Sequence, residues 1–299
     1  MEHRRLSKAV DNTILVCLTI QIAFVSISIA VSSIAFGIWV GLWFIQIIVT
    51  KKTGFDKKIL SELKLINIFI LAYFFFEIFS RFYALYPEGA FNNLKRLLLF
   101  LIFFVSIIKI INFQTLSRII FIVVCTISFI SVLEIFQYLL KFGELINQMS
   151  FSEIRIDYFN YPLTAGEIKM LVFFLVFPLL FIKEKFLINK KLFIIILLPV
   201  FISMILTQSR NVFLSVLICF IIFGLIVNRK FLAGLIIVII LSIMILPSEV
   251  LDRFKSIADP DHPSNAARLY MWDTGMKMFF DHPLTGIADS HIREIYSTY

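Results

Sequence analysis

The chain has 299 residues, of which 60% are hydrophobic and only 16% are charged, and its mean hydropathy is +0.95. This composition excludes an ordinary soluble domain, in which about half of the residues are apolar and about a quarter are charged. The formal net charge of +8 does not indicate nucleic-acid binding, because the Lys and Arg residues flank long apolar runs, where they act as topology signals.

Those apolar runs are the main structural signal. Residues 10–49 contain one charged residue, Asp11, and residues 193–208 contain none. About 20 apolar residues cross a bilayer core, and inside lipid the backbone must pair within its own segment, so the runs predict helices. We predict an all-α, polytopic transmembrane helix bundle over residues 1–247. The predicted crossings, nine in all, are 10–30, 32–50, 65–82, 96–111, 118–140, 168–183, 192–208, 211–228 and 231–247, with a tight turn near residues 30–33.

The distribution of positive charge predicts the orientation of this bundle. With the N-terminus in the cytoplasm, the cytoplasmic segments hold 16 of the 28 Lys and Arg residues, as expected for a multi-pass protein of the cytoplasmic membrane. These segments are 1–9, 51–64, 109–118, 183–191 and 228–230. The same orientation places three polar elements outside: the loop 141–167, the short turn 207–211 and the tail 248–299.

The tail has a helical pattern of its own. Pro263 and Ser264 offer a helix start, and Asp281-His282-Pro283 offers an end. Between them an apolar stripe predicts a helix that lies against the membrane or the bundle: Leu269, Trp272, Met276 and Phe279. Residues 248–299 are therefore predicted to be a partial extracytoplasmic helical segment.

Charged residues within the predicted crossings have two interpretations. Glu77 and Arg81 are four positions apart on one helix face, so they either form a coupling site of a transporter or simply pair with each other. Glu134 has no obvious local partner. Cys17, Cys125 and Cys219 lie in apolar runs without paired spacing, which is typical of unpaired, buried cysteines. The spacing of His262, His282 and His291 does not predict a metal site.

Three arginines on the predicted outer side form the candidate binding site: Arg155, Arg210 and Arg268. A guanidinium group keeps its charge and donates two parallel hydrogen bonds to phosphate oxygens. Several such groups at an outer membrane surface would suit a lipid-linked pyrophosphate, although each arginine could equally be solvated.

At these residues the sequence resembles the O-antigen ligase and O-antigen polymerase superfamily. Three ordered blocks carry the resemblance: Arg155 through Tyr161-Pro162 into Leu171; the turn Thr207-Gln208-Ser209-Arg210; and Arg268-Leu269-Tyr270-Met271-Trp272, followed by Met278-Phe279 and Asp281-His282-Pro283-Leu284-Thr285-Gly286.

The resemblance implies glycosyl transfer outside the bacterial cytoplasmic membrane, in lipopolysaccharide or polysaccharide biosynthesis. The donor would be a glycan on undecaprenyl pyrophosphate, and a hydroxyl of a lipid or glycan acceptor would attack its anomeric carbon. Arg155, Arg210 and Arg268 would hold the leaving pyrophosphate, without metal or nucleotide cofactor. The family's proposed catalytic base is a His beyond the third block; His291 does not fit it, so that His and further crossings are expected after Tyr299. Tyr161 and Ala288 also depart from the family pattern.

The motifs do not choose between a ligase and a polymerase. A transporter or lipid-glycan flippase is the alternative of another class, with Glu77, Arg81 and Glu134 as its buried charges. The absence of an evident internal repeat, and the gathering of the polar features on one face, favour the transferase.

Overall fold

The structure is a computed structural model. It describes residues 2–51, 54–55, 57–85, 90–110, 112–145, 155–156, 162–181, 190–245, 252, 255–257, 259–287, 295–296 and 298–299. Over these ranges it is α-helical and contains no strand, which confirms the predicted fold class.

The helices follow one another along the chain with short connections. They are α1 (Glu2–Phe24), α2 (Ile29–Thr50), α3 (Lys57–Glu62), α4 (Lys64–Phe82), the 3₁₀ helix η1 (Asn92–Leu99), α5 (Phe100–Lys109), α6 (Phe113–Leu145), α7 (Pro162–Val176), the 3₁₀ helix η2 (Phe177–Phe181), α8 (Lys190–Leu206), α9 (Arg210–Ile226), α10 (Arg229–Ile245) and α11 (Pro263–Asp281). Each of the nine predicted crossings corresponds to a helix or to a 3₁₀–α pair in this series. Among the described residues, four segments are long and apolar enough to cross a membrane: Ile29–Thr50, Lys64–Phe82, Phe113–Gly143 and Pro162–Phe181.

Two boundaries differ from the prediction. The first turn lies at residues 25–28 rather than 30–33, because the Ser28 hydroxyl accepts a hydrogen bond from the Val31 N–H (3.3 Å) and α2 begins directly after it. The sixth helix begins at Pro162 rather than 168, since proline is well suited to the first turn of a helix. The fourth crossing begins as a 3₁₀ helix at Asn92.

The described chain forms two compact units. The first comprises Met1–Leu42 and Ile110–Ala258, and the second comprises Trp43–Lys109 and Asp259–Tyr299. The division into a bundle over 1–247 and a tail over 248–299 stays a prediction.

The first unit is built around α6, α7 and α8. Its largest buried cluster contains Ala23 of α1 together with apolar residues from these three helices: Ile119, Val123, Val124, Ile127, Phe173, Val176, Phe193, Leu197 and Val200. A buried polar contact joins the first hairpin, where the Trp39 indole N–H donates to the Gln21 Oε1 atom at 2.6 Å. Cys17, Cys125 and Cys219 are free, as predicted.

The second unit contains the tail helix. The predicted helix start is off by one position, because His262 is the N-cap: its Nδ1 atom accepts a hydrogen bond from the Ser264 N–H at 3.3 Å, and Pro263 begins the helix. The end at Asp281 is confirmed. The predicted apolar stripe is at least about half exposed in every member, whereas Thr274 and Met278 are buried. The stripe therefore does not cover the bundle, and its membrane contact stays a prediction.

Candidate functional site

A tight turn between α8 and α9 carries the second sequence block. Thr207, Gln208 and Ser209 are all buried, although all three are polar. Gln208 adopts the left-handed backbone region, with φ 51°, which costs a residue with a Cβ atom about 1–2 kcal/mol. This turn places Arg210 at the first position of α9.

The start of α9 is suited to an anion. Ser209 is its N-cap, but the Ser209 hydroxyl makes no capping hydrogen bond and is buried without a partner among the described residues. The first N–H groups of a helix have no partner within the helix, and the helix dipole adds positive potential at the same end. Together with the Arg210 guanidinium, these groups favour a phosphate-like ligand. We call Ser209, Arg210 and the α9 N-terminus the anion site.

Contacts with Ser256 orient the half-buried Arg210 side chain. Its Nη1 atom donates to the backbone oxygen and to the hydroxyl oxygen of Ser256, both at 3.2 Å. Because a guanidinium group has five N–H donors, these contacts can fix its direction while other N–H groups serve further acceptors.

The structure brings the segment of Arg155 to the same end of α8. The N–H of the neighbouring residue, Ile156, donates a long hydrogen bond (3.4 Å) to the Leu206 oxygen, one residue before the turn. Ile156 is buried against Tyr138, Phe142 and Leu206. Arg155 itself is half-buried. Two of the three predicted arginines therefore belong to one region of the first unit, while Tyr161 lies outside the described residues.

Arg268 belongs to the second unit, on α11, where it is half-buried. The loop after α11 completes the third block, and Gly286 has φ 63°, a conformation that glycine adopts without steric cost. The convergence of Arg268 with Arg155 and Arg210 stays a prediction. His291 and Ala288 lie outside the described residues.

Both intramembrane carboxylates are engaged in ion pairs. Glu77 pairs with Arg81, as the structural interpretation of that pair predicted, and Arg81 is buried and donates to the Ala90 oxygen at 3.0 Å. Glu134 of α6 pairs with Lys169 of α7, and its Oε2 atom also accepts a hydrogen bond from the Ser203 hydroxyl of α8 at 2.8 Å. We call Glu134, Lys169 and Ser203, all of them buried, the Glu134 cluster.

Lys169 is the residue of this region that sequence reasoning missed. With a helix predicted to start at 168, Lys169 stood at its end and resembled an ordinary interfacial lysine. Because α7 begins at Pro162, Lys169 lies two turns inside the helix, where an unpaired ammonium would be costly. The proline before the run was the signal that could have revealed it.

Fold and composition define an integral membrane protein of the all-α, polytopic class. A family model described as O-antigen ligase matches residues 192–299. The match supports membership of the chain in the O-antigen ligase superfamily and confirms the resemblance predicted from the sequence. It includes the Thr207–Arg210 turn and the block from Arg268 to Gly286, but not the block that begins at Arg155. No curated protein and no solved structure shows a significant match to the chain.

Proposed function

We propose that this protein is a membrane glycosyltransferase of the O-antigen ligase type, which transfers a glycan from undecaprenyl pyrophosphate to an acceptor hydroxyl. The anion site at the start of α9 is the observation that carries the proposal. It combines a permanent cation, a buried hydroxyl without a partner among the described residues and a helix N-terminus, and it lies within the segment that matches O-antigen ligases.

The proposed chemistry needs an electrostatic partner for the leaving group. The acceptor oxygen forms a bond to the anomeric carbon, and the bond from that carbon to the pyrophosphate oxygen breaks, so negative charge develops on the lipid pyrophosphate. Groups already aimed at developing charge supply much of the rate enhancement in many transfer reactions. Arg155, Arg210 and Arg268 are proposed to fill this role. None of them is the base that takes the hydroxyl proton, because a guanidinium group stays protonated.

The proposed location is the outer face of the bacterial cytoplasmic membrane, with the N-terminus in the cytoplasm. The excess of Lys and Arg in alternate connecting segments supports this orientation. It places the turn before Arg210 and the helix that carries Arg268 on one side of the membrane, where both could meet a donor. The acceptor is a lipid or a growing glycan; in the latter case the same site would serve a polysaccharide polymerase.

Arginine-to-lysine substitutions test the transferase proposal. In proteoliposomes with a polyprenyl-pyrophosphate-linked glycan, we expect Arg210→Lys to lower the transfer rate about tenfold, because lysine keeps the charge but loses the planar fork of donors. Arg155→Lys and Arg268→Lys should be harmful for the same reason.

Arg229→Lys is the matched control, since Arg229 is also the first residue of a helix, α10, but is exposed and remote in sequence from the three blocks. It should transfer at the wild-type rate. Full activity of Arg210→Lys, or an equal loss in Arg229→Lys, would contradict the proposal.

A further inference from the structure

We propose that the Glu134 cluster is the positioning element of the anion site: it fixes α6, α7 and α8 so that the Thr207–Ser209 turn presents Ser209 and Arg210 to the donor pyrophosphate. This inference rests on the proposed function and assigns roles to three residues outside the sequence blocks that define the site. Each member lies about one helical turn from a contact that shapes the site.

On α6 the link runs from Glu134 to the Arg155 segment. Tyr138 lies four residues after Glu134, on the same helix face. Tyr138 packs against Ile156, the neighbour of Arg155. A rotation of α6 that displaced Glu134 would therefore also displace the surface on which Ile156 is seated.

On α7 the link runs from Lys169 to the turn itself. Gly166 lies three residues before Lys169, and its backbone packs directly on the turn: a Cβ atom there would stand 2.8 Å from the Val212 Cγ2 atom and 2.9 Å from the Thr207 Oγ1 atom. The ion pair of Lys169 thus sets the depth at which α7 supports both Thr207 and the first turn of α9.

On α8 the link is direct. The Ser203 carbonyl accepts the Thr207 N–H at 3.2 Å, and Leu206, three residues after Ser203, accepts the Ile156 N–H. Ser203 is therefore the member of the cluster that connects the ion pair to the turn and to the segment of Arg155.

One carboxylate oxygen organises all three helices. The Glu134 Oε2 atom contacts both the Lys169 Nζ atom and the Ser203 hydroxyl. Hydrogen bonds to a charged acceptor are directional and strong where water is absent, so this arrangement defines the rotation and axial position of each helix more narrowly than apolar packing would. An error of about 1 Å in a site can cost about a hundredfold in rate, so such definition matters for transfer.

Ser203→Ala tests the inference with minimal disturbance. We expect the KM for the lipid-pyrophosphate donor to rise about fivefold, the KM for the acceptor to stay unchanged, and amide hydrogen exchange over residues 207–213 to become faster. The thermal unfolding midpoint should stay close to that of the wild type, because only one hydroxyl is removed.

Ser131→Ala is the matched control. Ser131 is also fully buried, lies on α6 one turn before Glu134, and its hydroxyl has no hydrogen-bond partner among the described residues. It should leave both KM values and the exchange rates unchanged. Wild-type behaviour of Ser203→Ala, or a parallel rise of donor and acceptor KM, would overturn the positioning role.

The exchange measurement separates this inference from the proposed function. If the wild-type protein transfers no glycan, the transferase proposal fails, and the kinetic comparison has no meaning. Faster exchange at residues 207–213 in Ser203→Ala but not in Ser131→Ala would still support the positioning of the turn, and equal exchange in both variants would overturn it.

Discussion

Replacing Lys169 with methionine should lower the free energy of unfolding by about 3–5 kcal/mol, the typical cost of removing one partner of a buried ion pair. Glu134 is buried in the core of the first unit, and Lys169 is its only cationic partner among the described residues. Without the ammonium group, the carboxylate must either stay charged in an apolar surrounding or take up a proton, and both are costly. Unfolding in mixed detergent micelles measures the effect.

Two comparisons make this prediction specific. Lys277→Met makes the same chemical change at the exposed Asp273–Lys277 pair of α11, where water screens the charges, so it should be nearly neutral. The double variant Glu134→Met with Lys169→Met removes both charges and should recover most of the lost stability. A Lys169→Met variant as stable as Lys277→Met would show that the ion pair does not hold the helices together.

Replacing Gly166 with valine should destabilise the protein by about 3 kcal/mol, near the upper end of typical overpacking effects. Gly166 is buried where α7 contacts Thr207 and Val212. Both neighbours are completely buried and branched at Cβ, so neither can move aside cheaply. The same substitution should also abolish transfer under the proposed function, because it pushes directly on the turn before Arg210.

Gly37→Val is the control for this effect. Gly37 also lies inside a helix, α2, but a Cβ atom there would meet no atom within 4 Å. Valine is at least as good a helix former as glycine, so this variant should be as stable as the wild type. Equal losses in both variants would mean that helix propensity rather than close packing governs the result.

The helical architecture could be predicted because lipid-spanning segments carry a strong, local signal. The seventh crossing, predicted at 192–208, is observed as Lys190–Leu206, since its apolar run has unambiguous charged and polar ends. The turn at residues 25–28 was misplaced, because no Gly, Pro or charged residue marks it and a serine cap decides its position.

The candidate site could be predicted only residue by residue. Arg210 was found because it stands in a short polar turn between two apolar runs. The partnership of Glu134 with Lys169 and Ser203 could not be found, because it joins three helices that are 35 and 69 positions apart from Glu134 along the chain. The same limit applies to Arg155, whose approach to the turn depends on one backbone hydrogen bond from Ile156.

The binding of polyprenyl pyrophosphate without its glycan tests the central claim most directly, because it isolates the anion that Ser209 and Arg210 are proposed to hold. Titrated into the purified protein, polyprenyl pyrophosphate should bind about tenfold more tightly than polyprenyl monophosphate, since the second phosphate offers further acceptors to the arginines. Arg210→Lys should lose most of this preference, and Arg229→Lys should keep it. Equal affinities of the wild-type protein for the two lipids, or an unchanged preference in Arg210→Lys, would contradict the assignment of a pyrophosphate site to the start of α9.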